Sequence, residues 1–441
     1  MPEAMAARTM RILSVTVLFA GLAARTALPA DDKQWSRFRG PGGAGISDAA
    51  AIPTEWTDRD YNWKVELPGV GHSSPVPWGN RIFVTCGDPE SAGRTILCLD
   101  AADGRTLWRR DYPSKTYRQH RDNSYATATP AADDLGVVLT WTTPGQLVLL
   151  ALDLDGHQTW RRDLGPFVGQ HGSGSSPIIV DDLVVLANDQ GDPKLLARIM
   201  GREEPDAPAG KSFLIAVDRR TGKTRWQVPR RTTLAAYSTP CIHRSDGGKA
   251  ELIFTSTSHG VTAVDPATGE INWELDDVFR DRCVGSPVAM PGLVIAGYGN
   301  GTRGTRYVAV RPGSRAEGIE PTLAYDVTKS VPLVPTPIVK DGRLFLWGDD
   351  GVVSCLNVAD GEVLWQQRVG GSFYGSPVCV GDRLYCIAKD GTVVVLSASE
   401  KYEVLARLPL GEPTYATPAV SGGVMYLRTR SHLFSLGGKM P

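Results

Sequence analysis

The sequence contains no block of like charge and no apolar run long enough to span a membrane. Lysine and arginine number 47 and aspartate and glutamate 48, which gives a formal net charge of −1. We therefore expect neither nucleic acid nor an anionic membrane surface as a partner. No Gly-x-Ser-x-Gly elbow, His-Glu-x-x-His motif or phosphate-binding loop occurs. The sequence supports no catalytic residue, and catalysis stays an open question.

Cysteine is sparse. The seven cysteines are odd in number, far apart and mostly embedded in apolar, strand-like segments. This is not a disulfide framework, so we expect buried free thiols. Cys86 and Cys98 flank one loop, and a disulfide between them is the alternative.

The N-terminus has the composition of a secretory signal peptide. Arg8 and Arg11 precede an apolar run from Ile12 to Ala24, and small residues continue to Ala30. We assign residues 1–30 to a signal peptide and expect an exported protein, periplasmic or secreted. An uncleaved anchor is the alternative, although the run is shorter than the roughly 20 residues that a membrane span needs. No cysteine follows for lipid attachment.

A serine or threonine followed by proline opens a repeated unit. Each unit continues with an apolar strand, a tight turn, two further strands and a final strand. Eight copies occur 40 to 63 residues apart, marked by Pro75, Pro130, Pro177, Pro240, Pro287, Pro337, Pro377 and Pro418. Four short strands in about 40–50 residues are typical of propeller blades, so the sequence predicts an all-β, eight-bladed β-propeller.

A tryptophan recurs in the fourth strand, often after an Asp-Gly or Thr-Gly turn. Six blades carry it, as Trp63, Trp108, Trp160, Trp226, Trp273 and Trp365. A large ring at a fixed outer position is expected to pack between neighbouring blades. We therefore assign these tryptophans to blade docking rather than to a cofactor.

The last unit lacks its fourth strand. The segment 62–66 has no blade of its own, and pairing it with the three C-terminal strands completes the eighth blade and leaves no exposed edge. The expected organisation is an N-terminal arm, 31–61, and a propeller, 62–441. We expect a monomer.

The blade ending Leu-Asp-Ala-Ala-Asp-Gly-x-x-Leu-Trp, best seen from Leu99 to Trp108, together with the Ser/Thr-Pro start, resembles the PQQ-like repeat superfamily. That superfamily contains the quinoprotein alcohol dehydrogenases and the non-enzymatic outer-membrane assembly factor BamB. The arm motif Trp35-x-x-Phe38-Arg39-Gly40 is similar to that of exported PQQ-like propellers of planctomycete-type bacteria. The repeat residues are structural, so the resemblance implies the fold more than the cofactor.

The chain departs from the dehydrogenases. It has no adjacent cysteine pair, no Cys-x-x-Cys-His haem motif and no clustered Glu/Asn/Asp set for Ca²⁺. We expect no cofactor, and PQQ with Ca²⁺ at the mouth of the channel is the alternative.

Loop lengths favour one face as the binding face. The connections 87–94, 112–124 and 188–212 are long, and connections of these two types emerge on the same face of a propeller. Elongated loops on a rigid scaffold are where binding residues usually lie. Insertions that are merely tolerated are the alternative.

One position near this face recurs three residues before each marker proline. Strand periodicity gives these residues a common orientation near the channel mouth: His72, Thr127, Gly174, Tyr237, Val284, Val334, Tyr374 and Tyr415. Such a polar and aromatic ring suits a sugar, a quinone or a peptide equally. Tyrosines that only fill the channel are the alternative.

Further candidates lie in the adjoining loop, as His120, Arg121, Asp122, Asn123 and Tyr125. His72, His120 and His171 precede inner strands of consecutive blades, and three imidazoles would suit zinc or copper. Their sequence separations are long, so no metal is assigned.

Together these observations favour a non-enzymatic, BamB-like binding or scaffold protein of the cell envelope, with an envelope protein or a polysaccharide as its partner. The alternative is a quinoprotein-type oxidoreductase that binds PQQ at the channel mouth.

Overall fold

The repeats form eight sheets arranged in a ring, as the sequence predicts. The computed structural model describes residues 34–49, 52–143, 145–172, 174–201, 210–244 and 248–438. The predicted signal peptide lies outside the described residues. All described residues belong to one compact unit, Asp32–Pro441. No helix among them is long and apolar enough to cross a membrane.

The strands of the first four blades follow one another in the chain and pair antiparallel in order within each blade. They are β3 (Val76–Trp78), β4 (Arg81–Gly87), β5 (Arg94–Asp100) and β6 (Thr106–Tyr112); β7 (Ala131–Asp133), β8 (Gly136–Thr143), β9 (Gln146–Leu152) and β10 (Gln158–Asp163); β11 (Ile178–Val180), β12 (Leu183–Asn188), β13 (Phe213–Asp218) and β14 (Thr224–Pro229); and β15 (Cys241–Arg244), β16 (Ala250–Ser256), β17 (Gly260–Val264) and β18 (Ile271–Leu275).

The remaining blades repeat this order. They comprise β19 (Val288–Met290), β20 (Leu293–Asn300), β21 (Arg303–Arg311) and β22 (Thr322–Val327); β23 (Ile338–Lys340), β24 (Arg343–Trp347), β25 (Val352–Asn357) and β26 (Val363–Arg368); β27 (Val378–Val380), β28 (Arg383–Ile387), β29 (Thr392–Ser397) and β30 (Val404–Pro409); and β31 (Ala419–Ser421), β32 (Val424–Arg428) and β33 (His432–Gly437).

The first two strands of the chain add to late blades. β2 (Tyr61–Glu66) pairs antiparallel with β33 and is the fourth strand of the eighth sheet. β1 (Ile46–Ser47) pairs parallel with β27 and makes blade seven five-stranded. The sequence analysis did not expect this fifth strand, because two residues carry no recognisable period.

The long connection of blade three contains a helix. α1 (Pro193–Met200) begins after Asp192, whose side chain accepts a hydrogen bond from the Leu195 amide, and ends at Gly201 in the left-handed conformation. Short 3₁₀ turns occur at Pro41–Gly43 and Arg315–Glu317.

The tryptophans lie between blades and explain the glycine that precedes most of them. Trp108, for example, donates its indole N–H to the Leu154 carbonyl of the next blade at 2.8 Å. Its ring also covers Gly156, where an added Cβ would lie 2.7 Å from the indole. The same N–H donation to a backbone carbonyl of the next blade is made by Trp63, Trp160, Trp226 and Trp365.

Three blades depart from this contact. In blade seven, Ala406 stands at the position that the tryptophan takes elsewhere. Trp273 donates to the Glu251 carboxylate of its own blade at 3.4 Å. In the following blade, Tyr325 takes the tryptophan position, donates to the Val358 carbonyl at 2.8 Å and covers Gly361. The hydrophobic core is accordingly divided into layers between neighbouring blades, as repeat architectures require.

The cysteines are all free and buried. In the β4–β5 register, Cys86 lies opposite Thr95 and Cys98 opposite Phe83. The two cysteines are therefore out of register with one another, and the alternative of a Cys86–Cys98 disulfide does not hold.

Candidate functional site

The inner strands enclose an axial cavity of about 500 Å³. Its lining includes every member of the ring expected three residues before the marker prolines: His72, Thr127, Gly174, Tyr237, Val284, Val334, Tyr374 and Tyr415. The repeat period gives these side chains one orientation, because each inner segment enters its blade in the same way. The tyrosines thus line a cavity in the size range of small-molecule sites and do not fill the channel.

A belt of hydroxyl groups lies below the mouth ring, two residues further along each inner segment. Except for Ser74, whose hydroxyl is buried without a partner among the described residues, the serine or threonine before each marker proline accepts a hydrogen bond from the backbone N–H of its counterpart in the preceding blade. The contacts run from Ser74 to Thr129 at 2.9 Å and from Thr129 to Ser176 at 2.9 Å. They continue around the ring through Thr239, Ser286, Thr336, Ser376 and Thr417. The recurrent Ser/Thr-Pro motif is therefore the joint between inner strands.

The N-terminal arm closes the cavity opposite the mouth. Phe38 lines the cavity, and the two arginines beside it bind backbone carbonyls at the level of the marker prolines. Arg37 donates to the Pro240 carbonyl at 2.5 Å. Arg39 donates to the carbonyls of Pro377 at 2.8 Å and Pro337 at 2.5 Å. The cavity is therefore a blind pocket with Phe38 in its floor.

Asp122 reaches across the mouth from the connection between blades one and two. Its carboxylate lies 3.4 Å from the Lys389 ammonium of blade seven and accepts hydrogen bonds from the hydroxyls of Tyr374 at 3.2 Å and Tyr415 at 3.5 Å. Burial opposes ionisation, but the Lys389 charge and these hydrogen bonds outweigh it and hold the pKa of Asp122 below its ordinary value. Lys389 also lies over the Tyr374 ring, 4.2 Å from its centroid.

Two of the three histidines approach one another. The rings of His120 and His171 lie 5.0 Å apart in an edge-on arrangement, whereas His72 packs against Tyr415, with ring centroids 4.6 Å apart. His171 also contacts the Arg282 guanidinium. Within the described ranges, no three or more His, Cys, Asp or Glu side chains are arranged to hold a metal ion.

Two histidines of the cavity lining, His72 and His171, are neutral imidazoles at neutral pH. Burial, with the nearby Arg428 charge, lowers the pKa of His72 to about 4. Burial and Arg282 likewise lower the pKa of His171 to about 4. Burial raises the pKa of Tyr237 to about 12. At neutral pH these groups donate and accept hydrogen bonds without carrying charge.

Two candidates lie outside the cavity. Arg121 points to solvent, with 86% of its side chain exposed. Tyr125 packs against Tyr117 with ring centroids 5.0 Å apart, and its carbonyl accepts a hydrogen bond from Arg94. Asn123 lines the cavity and donates to the His171 carbonyl at 2.7 Å.

The site also contains residues that were not among the sequence candidates, and three of them shape its floor and its charge. Phe38 comes from the arm, Arg282 from the connection before blade five, and Lys389 from a turn between β28 and β29. Arg282 stands two residues before the ring member Val284, so an extension of the ring analysis along the chain would have included it. No periodic signal marks Phe38 or Lys389.

Ca²⁺-bound PQQ does not fit the described lining. Ca²⁺ takes six to eight oxygen ligands, whereas Asp122 is the carboxylate among the described lining residues and already binds Lys389 and two tyrosines. The seven cysteines are buried in blades, and none is among the described lining.

Eight blades around an axial cavity, six of them carrying the docking tryptophan, define a PQQ-like repeat β-propeller. The chain belongs to the family described as outer membrane protein assembly factor BamB, whose profile matches residues 55–203, 202–301 and 326–436. The curated outer membrane protein assembly factor BamB of Yersinia pestis is 26% identical over 208 residues, which are 43% of this chain and 49% of that protein. The chain thus matches about half the length of this relative.

Solved structures agree with this assignment. The crystal structure of BamB from Moraxella catarrhalis superimposes with a TM-score of 0.56 at 15% identity, over 84% of this chain and 95% of that one. The quinohemoprotein alcohol dehydrogenase of Comamonas testosteroni gives a TM-score of 0.59 at 12% identity, over 93% and 82%. At these identities the likeness shows the fold alone.

Proposed function

We propose that this protein is an exported, non-enzymatic binding protein of the cell envelope that holds an envelope protein or a polysaccharide at the face bearing the cavity mouth. One observation carries the proposal: the long connection 112–124 contributes His120, Asp122 and Asn123 to the lining of the axial cavity. Family membership supports an envelope role, because the family is described by outer membrane protein assembly.

The binding face is rigid beneath its loops. The hydroxyl belt joins the inner strands and the tryptophans join the outer ones, so partners meet a preformed surface rather than a mobile one. Arg121 at the rim is almost fully exposed, and it supplies a charged group to a partner without being part of the cavity.

Site-specific photo-crosslinking in living cells tests this proposal. A photoreactive amino acid replaces Arg121 at the mouth or Asp382 at the opposite face, where the side chain is 87% exposed. We expect a discrete crosslinked product with an envelope component from position 121 and none from position 382. Equal products from both positions, or none from either in a folded and exported protein, would contradict the proposal.

A dye-coupled oxidation assay with PQQ, Ca²⁺ and a panel of alcohols and sugars tests the oxidoreductase alternative. We expect no turnover above that of the free quinone. Saturable PQQ binding with turnover would replace the proposed function.

A further inference from the structure

The axial cavity has aromatic walls on two sides. On one side Tyr415 lies between His72 and Tyr374, with ring centroids 4.6 and 5.4 Å away. On the other side His171 lies between His120 and Tyr237, with centroids 5.0 and 6.1 Å away. Aromatic side chains offer a large apolar contact area at small entropic cost. The cavity is thus shaped to hold a ring-sized group between two faces.

The charged groups of the cavity are already compensated. Asp122 is paired with Lys389 at 3.4 Å, and Arg282 lies 3.8 Å from the Asp281 carboxylate and also contacts His171. A ligand with several negative charges would find no free pair of cations in the described lining. The remaining polar lining consists of hydroxyl, amide and imidazole groups.

Two polar atoms of this lining are buried and have no hydrogen-bond partner. They are Nδ1 of His72 and the hydroxyl of Tyr237, which belong to opposite walls. A buried polar atom without a partner costs about 1–3 kcal/mol. A bound molecule with hydroxyl groups at its edge offers the kind of partner that each of these atoms lacks.

The blind end limits how a ligand enters. Phe38 stands in the floor, and Arg37 and Arg39 tie it to blades four, six and seven. A chain cannot pass through the ring, so an extended polymer can offer only its terminal unit to the cavity.

We infer that the axial cavity binds a neutral sugar ring, presented as the terminal unit of a saccharide. The faces of the sugar pack against the Tyr374–Tyr415 and His171–Tyr237 walls. Its hydroxyl groups bond to the hydroxyl of Tyr237 and to Nδ1 of His72. This inference rests on the proposed function, for which it specifies the class of ligand held at the mouth.

Isothermal titration calorimetry of the mature protein tests the inference. The probes are the methyl glycosides of glucose, galactose, mannose and N-acetylglucosamine, neutral oligosaccharides ending in the same sugars, and glucuronic acid. We expect at least one neutral probe to bind with 1:1 stoichiometry and the corresponding glucuronic acid to bind at least about tenfold more weakly. A free sugar and a chain end are distinguished by whether the oligosaccharide binds as tightly as the monosaccharide or more tightly.

Matched tyrosine variants localise the binding. Tyr237→Phe removes one unpartnered hydroxyl from the cavity, and we expect it to weaken binding of the neutral probe about tenfold. Tyr402→Phe makes the same change on the outer part of blade seven, where Tyr402 packs on Trp365 at 5.3 Å, and leaves affinity unchanged.

Three outcomes would overturn the inference: no neutral probe binds the folded wild-type protein at millimolar concentration, the charged sugar binds more tightly, or Tyr237→Phe has no effect. Crosslinking from position 121 without any sugar binding would refute the inference that the cavity binds a sugar but would leave the proposed function standing. Sugar binding without crosslinking from position 121 would keep the sugar site and refute the envelope partner.

Discussion

At the scale of single residues, the protonation of His72 makes folding stability depend on pH. Its ring packs against Tyr415, and burial, with the nearby Arg428 charge, lowers its pKa from 6.5 to about 4. The unfolded chain therefore binds more protons than the folded one between these two values. Folding stability from this group is fully present above pH 6.5 and is lost as the pH falls toward 4.

We predict that His72→Gln removes this dependence. The wild type should lose on the order of 2–3 kcal/mol more than the variant between pH 6.5 and 4. Urea unfolding of both proteins at several pH values measures the difference. The comparison is needed because burial raises the pKa of Asp349 to about 6, which contributes a slope of opposite sign over the same window. Identical pH profiles of the two proteins would show that His72 titrates normally.

At the scale of elements, several outer strands pack an aromatic ring on a glycine in the next blade. Gly156 has φ +79°, and its missing Cβ leaves room for the Trp108 ring. The glycine of the Asp-Gly and Thr-Gly turns thus has two roles: it allows the turn, and it leaves room for the ring of the preceding blade. The sequence indicated the turn, but the partner of the glycine lies one blade earlier and becomes visible only in three dimensions.

Gly156→Ala should destabilise the protein by about 2–4 kcal/mol, because backbone strain adds to a clash with Trp108. Gly79→Ala is the matched control: Gly79 has φ +57° and nothing within 4 Å of its missing Cβ. We expect this control to cost about 1 kcal/mol. Denaturant unfolding at neutral pH gives the free energy of unfolding of both variants. Equal losses of stability would mean that the Trp108 ring moves aside at no cost in free energy.

The elements of the site differ in how far the sequence predicts them. The eight-residue mouth ring follows from the repeat, since one period fixes the orientation of His72, Tyr237 and Tyr415 alike. The positions of Phe38 and Lys389 could not be predicted in this way, because an arm and a turn have no sequence period that fixes where a side chain points. Asp122 was a candidate, but its reach to blade seven depends on the path of a loop rather than on any spacing.

At the scale of the whole molecule, the arm ties distant blades together. Arg39 is fully buried, and its guanidinium bonds to carbonyls of Gly43, Ala44, Thr336, Pro337 and Pro377. Burial lowers its pKa to about 9, so it stays charged at neutral pH, and these carbonyl oxygens surround the charge. The planar fork of arginine suits this arrangement, and a lysine would not reproduce it.

Arg39→Ala should reduce the free energy of unfolding by about 3–5 kcal/mol, because several carbonyls lose their donor inside the ring. Arg105→Ala removes an exposed arginine with 65% of its side chain accessible and a 2.9 Å contact to Asp100. This second variant should cost less than about 1 kcal/mol. Thermal and urea unfolding measure the stability of both variants. Similar losses of stability would show that the contacts of the arm add little to the stability of the ring.

The eighth blade joins the two ends of the propeller. Asn62 donates to the Ser435 hydroxyl at 3.2 Å across 373 positions of the chain. During synthesis, earlier blades can pack as soon as their neighbours emerge, but this sheet must wait for β31, β32 and β33. The nascent chain therefore carries open β-edges until β33 pairs with β2, and edges of that kind invite aggregation. Ring closure is thus the step at which a chaperone that holds the nascent chain gives the greatest protection.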